Sequence, residues 1–348
     1  MSNCLGCGRT VVTMNDEQEE LDRGLMRLDP LSVRPRISAR VGCLLLTVVF
    51  IAAAFGVWWL GVCTMDGQSY EDMVWTFFND PVPGALGALL SVVGQSWLVI
   101  VISCVFAAFG VLAAVLRRRW WLLGQMAVFA AVCYASELLK GVLPRPYLIN
   151  TESRALNSAP SGHTILAAAA GVLLVIAVPR VCRAIAAVIA AAWVSLVGVS
   201  VVAQQWHRPC DVVMAVLLVG GLAMLALVFT RKSGMDAMGE RASSPSVQIV
   251  GSVLLTAGLL AMVYAGYIVW QVLPGLSVSA AWSLSGALVS SMVLIIASAV
   301  VVFSSTMALR QVTAAPLTKI GLIGAPPAPP VQTAPVLRDA TPVDDAVI

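Results

Sequence analysis

The chain predicts an all-α fold, a polytopic membrane helical bundle, and three observations predict it. Hydrophobic residues make up 59% of the 348 residues and charged residues only 11%, well outside the range of a soluble domain. Several uncharged runs reach the roughly 20 apolar residues that a helix needs to cross a bilayer. These runs are rich in Leu, Val and Ala. Lipid offers their backbone no hydrogen-bond partner, so they must close their bonds internally, as helices.

Eight spans follow from the pattern, at about 41–63, 95–116, 120–140, 163–179, 184–206, 211–230, 247–270 and 281–304. The first six form a core over 41–230. A polar, arginine-bearing segment (1–40) precedes it, and a linker (231–246) separates it from two additional transmembrane helices within 247–304. Residues 305–348 turn Pro/Ala-rich and are expected to be a disordered tail. The segment 81–94 is apolar but broken by Pro81, Pro83 and glycines, so it reads as an interfacial or re-entrant lead-in to the second span. Between the first span and this lead-in, Asp66, Glu71, Asp72 and Asp80 read as an acidic outer loop.

Charge orients the bundle. Arg34, Arg36 and Arg40 precede the first span, Arg117 to Arg119 separate the second and third, and Arg180 with Arg183 separate the fourth and fifth. Arg231, Lys232 and Arg241 follow the sixth, and Arg310 with Lys319 follow the eighth. If the spans alternate, all of these share one side, which is cytoplasmic by the positive-inside rule. The protein is then expected in the cell membrane, with both termini and the linker cytoplasmic.

Four basic residues break that rule on the opposite, outer side: Lys140, Arg145, Arg154 and Arg208. They lie in the same two stretches as His163 and His207, the only histidines in the chain. In the first stretch, Ser161, Gly162 and His163 open a helix, whose first turn offers unpaired N–H groups and a partial positive charge to an anion. Gly162 lets the backbone approach closely, Ser161 adds a hydroxyl donor, and Lys140 and Arg145 supply cationic partners. In the second stretch His207 and Asp211 stand four apart, on one face of a helix. A carboxylate bonded to one imidazole nitrogen leaves the other free to attack, which suits a histidine nucleophile.

The cysteines point elsewhere. Cys43, Cys63, Cys104, Cys133, Cys182 and Cys210 sit in apolar context, as small packing residues do. Cys4 and Cys7 form a CxxC with no second pair of ligands nearby. A net charge of +3 gives no argument for nucleic acid.

Lys140 with Arg145-Pro146, "PSGH" at 160–163 and "HRPCD" at 207–211 together resemble the type 2 phosphatidic acid phosphatases, the PAP2 family, which shares its site with vanadium haloperoxidases. The likeness covers about 95–230. It implies a membrane lipid phosphatase without metal or other cofactor, with its site extracytoplasmic. His207 would attack phosphorus and form a phosphohistidine, and Asp211 would orient it. His163 would protonate the leaving group and then activate water. Lys140, Arg145, Ser161 and Gly162 would bind the phosphate oxygens.

The pattern departs from the family twice. Four residues separate Lys140 from Arg145 where the family usually has six, and Val201 stands where an Arg is usual; Arg208 or Arg154 would supply that charge. The substrate implied is a phosphomonoester or pyrophosphate of a lipid: phosphatidate, phosphatidylglycerol phosphate or a polyprenyl pyrophosphate. The alternative is a weak or inactive relative that binds or transports lipid phosphates, although the span centres carry almost no charge for a coupled carrier. A zinc site from His163, His207 and Asp211 is disfavoured by the surrounding cations. Glu137 is expected to pair with a nearby base, and Trp206 to serve as an interfacial aromatic or a substrate wall.

Overall fold

A computed structural model describes residue 35 and residues 37–78, 84–153, 155–231, 245–276 and 281–314. The CxxC, the proposed tail beyond 314, Arg154 and most of the linker lie outside these residues. Every regular element described is helical: α1 (Ile37–Val62), α2 (Met65–Phe77), α3 (Gly84–Val93), α4 (Ser96–Leu116), α5 (Trp120–Ala135), a short α6 (Leu139–Val142), α7 (Gly162–Ala177), α8 (Arg183–Ala203), α9 (Pro209–Val228), α10 (Pro245–Leu276) and α11 (Ala281–Ala314). Seven helical stretches among the described residues are long and apolar enough to cross a membrane. The protein is a multi-pass membrane bundle.

The helices form two shells. α7, α8, α9 and α11 are mostly buried, and small residues such as Ala167, Ala168, Ala187 and Ala190 let them approach closely. α1 packs on α9, α4 on α7, and α10 on α11; α1, α4, α5 and α10 turn large apolar side chains outward, as lipid-facing helices do.

α7 is the short member, at 16 residues, or about 24 Å of rise against roughly 30 Å of hydrocarbon. Its last carbonyls have no intrahelical partner and need donors from neighbouring helices. The fully buried Arg310 of α11 donates from Nε to the Ile176 carbonyl at 2.8 Å. Next to it the buried Arg183 donates to Gln311 Oε1 at 2.6 Å. Arg183 and Arg310, expected as loop charges, are thus structural bonds inside the bundle. This also explains why α11 runs to Ala314, past the expected end of the span at 304 and into the first residues of the expected tail.

The acidic outer loop is corrected more substantially: residues 65–77 are a helix. Thr64 caps it by accepting from Gly67 N–H at 3.0 Å. Only glycine fits at 67, because a Cβ there would lie 1.8 Å from the Leu60 carbonyl oxygen. The lead-in segment forms α3, whose 10 residues are too few to span.

Candidate active site

The third motif is shaped by the turn between α8 and α9. Gln205 takes a left-handed conformation at φ 55°, and the N–H groups of Trp206 and His207 both donate to the Val201 carbonyl, at 3.0 and 3.3 Å. Val201 itself is buried in packing. Pro209, with its fixed φ and no N–H to leave unpaired, opens α9. Asp211 then lies in the first turn, fully buried, where its Oδ2 accepts from the Arg208 N–H at 3.1 Å and from Ser158 Oγ at 2.5 Å. His207 Nδ1 stands 3.4 Å from the same oxygen. That contact puts the imidazole proton on Nδ1 and leaves Nε2 as the free lone pair.

The second motif is fastened directly to the third. Ser161 N–H donates to the Asp211 carbonyl at 3.0 Å, just after the cis Ala159–Pro160 bond. Ser161 Oγ caps α7, accepting from Thr164 N–H at 3.5 Å and lying 3.0 Å from Thr164 Oγ1. His163 is half-buried one residue into the helix. Its Nε2 lies 3.2 Å from Ser96 Oγ, and its ring centroid 5.1 Å from that of Trp206. Gly162 lets two side chains of the preceding segment close over the helix start. A Cβ there would meet Glu137 Oε1 at 2.2 Å and Lys140 Nζ at 3.1 Å.

The first motif brings the cations. Arg145 Nη2 reaches Thr151 Oγ1 at 3.3 Å and Ser153 Oγ at 3.5 Å, while Arg208 Nε reaches the same Ser153 Oγ at 3.3 Å and its Nη1 reaches Ser158 Oγ at 3.4 Å. The two guanidinium groups are therefore neighbours. Burial first, and then the Arg208 charge, push the Arg145 pKa down from its ordinary value. Side-by-side cations of this kind favour an anion between or above them.

α2 holds this loop from outside. Gln68 Nε2 donates to the Pro146 carbonyl at 2.8 Å, and Asp72 Oδ1 accepts from Ser153 N–H at 3.0 Å. Glu71, buried, accepts from the Cys210 N–H at 3.2 Å.

Both imidazoles thus lie at one end of the bundle, in electrostatic reach of each other and of Lys140. Contacts link His163, His207, Asp211, Arg145, Ser161, Gly162, Arg208 and Lys140 into one cluster. Arg208, one of the two expected substitutes for the charge missing at Val201, is beside Arg145. Sequence reasoning missed Ser96, Ser153, Ser158 and Glu71. Only Ser158 carried a signal, being a second small hydroxyl two residues before "PSGH"; Ser153 lies in the same loop but outside any motif, and Ser96 and Glu71 reach the site from distant parts of the chain.

An apolar groove of about 180 Å³ starts at Gly162 and Glu137 and runs between α4, α5 and α7, floored by Ala107, Ala130, Ala169 and Ala170. Tyr134, at its side, is 77% exposed, so the groove opens laterally.

Among known proteins, the family model of the PAP2 superfamily matches residues 120–235, which contain all three motifs. No curated protein and no solved structure matches the chain. The shared order of Lys140, Arg145-Pro146, the 160–163 and the 207–211 segments, joined in one cluster, falls within residues 120–235, the domain of this chain that matches the PAP2 superfamily.

Proposed function

We propose that the protein is a membrane lipid phosphatase that works through a phosphohistidine at His207 and has its pocket on the extracytoplasmic side. The observation that carries this reading is His207, held at Nδ1 by the buried Asp211, in one cluster with His163, Lys140, Arg145 and Arg208. His207 Nε2 attacks phosphorus, and the bond from phosphorus to the lipid oxygen breaks. His163 gives that oxygen its proton. His163 then takes a proton from water, which attacks the phosphohistidine, and the N–P bond breaks to release inorganic phosphate. The cations and the first-turn N–H groups of α7 stabilise the charge of the five-coordinate transition state.

The groove favours a lipid over a soluble phosphate ester. It begins beside Gly162 and is lined almost wholly by apolar side chains, so a hydrocarbon chain entering from the bilayer would lie along α7 with its headgroup at the pocket. The substrate class is a phosphomonoester or pyrophosphate of such a lipid. Phosphate release from phosphatidate, phosphatidylglycerol phosphate and a polyprenyl pyrophosphate, measured in detergent for the wild type, His163→Ala and His207→Ala, tests the reading. Turnover of at least one lipid, lost in both variants, is expected. Turnover that survives His207→Ala, or none in the wild type, overturns it. Activity is also expected to persist in a strong chelator, because the pocket is lined by cations that repel a metal ion.

A further inference from the structure

Three consecutive residues of α2, outside the family-matched region, each hold a different part of the molecule. The Tyr70 hydroxyl donates to the Ala287 carbonyl of α11 at 3.0 Å and lies 2.8 Å from Ser290 Oγ. Glu71 takes the Cys210 N–H of α9, and Asp72 takes the Ser153 N–H of the site loop. Side chains about 100° apart on a helix point three ways, so α2 joins the C-terminal helices, the first turn of α9 and the phosphate-side loop.

Glu71 is the one that faces the site, and its surroundings are unusual for a carboxyl. From α9 it faces the Asp211 carboxylate, the Cys210 thiol and the Arg208 guanidinium; from its own helix it faces Tyr70. From α1 it faces Gly61, where an added Cβ would lie 3.3 Å from Glu71 Oε1. It is 5% exposed. The Cys210 N–H is one of the orphan donors of a helix start and, being buried, requires an acceptor.

We propose that Glu71 is a positioning residue of the phosphatase site, a role that rests on the reading above: as a neutral carboxyl it holds the first turn of α9 through the Cys210 amide and so sets Asp211, and through Asp211 the imidazole of His207. Burial and the Asp211 charge together push its pKa up to about 8, outweighing the Cys210 N–H and Arg208. Glu71 is therefore mostly protonated at neutral pH. Above about 8 it ionises, sets a second negative charge against Asp211 and the incoming phosphate, and competes for Arg208. The stability it contributes is complete below its ordinary value of 4.5 and is lost as pH rises through about 8.

The experiment measures kcat and KM from about pH 6 to about pH 10 for the wild type, Glu71→Gln and Glu71→Ala, with melting temperature in detergent over the same range. Gln keeps the acceptor oxygen without the charge. Glu71→Gln is expected to stay within about threefold of wild type at neutral pH and to lose the alkaline fall in kcat/KM. It should also lose the part of the wild type's fall in melting temperature that Glu71 causes as pH rises from about 6 through about 8. Glu71→Ala, which strands the Cys210 N–H, is expected to lower kcat about tenfold with little change in KM. An active wild type whose alkaline limb and melting profile are unchanged in Glu71→Gln overturns the role of Glu71 alone. A wild type that releases no phosphate from any lipid overturns the phosphatase reading itself.

Discussion

Asp211 Oδ2 is the atom on which the two motifs meet. It takes the Ser158 hydroxyl at 2.5 Å and the Arg208 N–H at 3.1 Å, and faces His207 Nδ1 at 3.4 Å. Asp211→Asn keeps the shape but offers the imidazole an amide, which no longer fixes the tautomer. It is expected to lower kcat by about 10³–10⁴ with little effect on KM. Ser158→Ala removes one charge-assisted bond and leaves the others, so a loss of about tenfold in kcat is expected. Steady-state kinetics on the best lipid phosphate distinguish the two. The histidines, Asp211 and the first-motif cations were legible in the sequence because each motif is local, a few residues of fixed spacing in an otherwise nonpolar chain. Glu71 was not, because its bond joins positions 139 residues apart, and Ser153 was not, because a lone serine between two motifs carries no pattern, although it bonds Arg145 eight residues away.

At the scale of elements, hydrophobic run length located the spans to within a few residues, because lipid leaves the backbone no alternative to a helix. It failed for α2, which is too polar to read as a span and whose N-cap Thr64 is followed three residues later by Gly67 in place of a Glu or Gln. It also failed at the end of α11, where Arg310 looked like a loop charge. There the deciding fact is the shortness of α7, whose terminal carbonyl is completed by Arg310. Arg310→Ala is expected to destabilise the protein by about 2–4 kcal/mol, since it strands a buried carbonyl and opens a cavity. Thermal unfolding in detergent measures it, and phosphate release per folded molecule should stay near wild type because Arg310 sits at the end of the bundle away from the pocket. A melting temperature equal to wild type would show that the Ile176 carbonyl needs no such donor.

For the whole molecule, composition alone was enough to establish a polytopic helical bundle, and the arrangement of charge predicts how it is inserted. The pocket end carries His163, His207 and Arg145, and the far end carries Arg117 to Arg119 and Arg231, whose guanidinium lies 3.8 Å over the Trp121 ring. The positive-inside rule predicts a cytoplasmic far end. In a background with its native cysteines replaced, a cysteine at Leu156 is expected to react with a membrane-impermeant thiol reagent in intact cells, and one at Arg118 only after permeabilisation. The reverse pattern would put the pocket in the cytoplasm. What composition could not convey is that the family-matched domain is braced from outside itself, by α2 and α11, because such contacts appear only once the chain is folded.

The central claim is that His207 becomes phosphorylated in a pocket assembled from three separate motifs. Phosphohistidine hydrolyses in acid and survives in alkali, so the reaction must be stopped in base. Rapid quenching in alkali of the wild type mixed with a lipid carrying labelled phosphate, followed by mapping of the labelled peptide, tests this most directly. The account predicts label on His207, no label in His207→Ala, and label that persists longer in His163→Ala because the water is no longer activated. Phosphate release with no label on His207, or label on another residue, would contradict it.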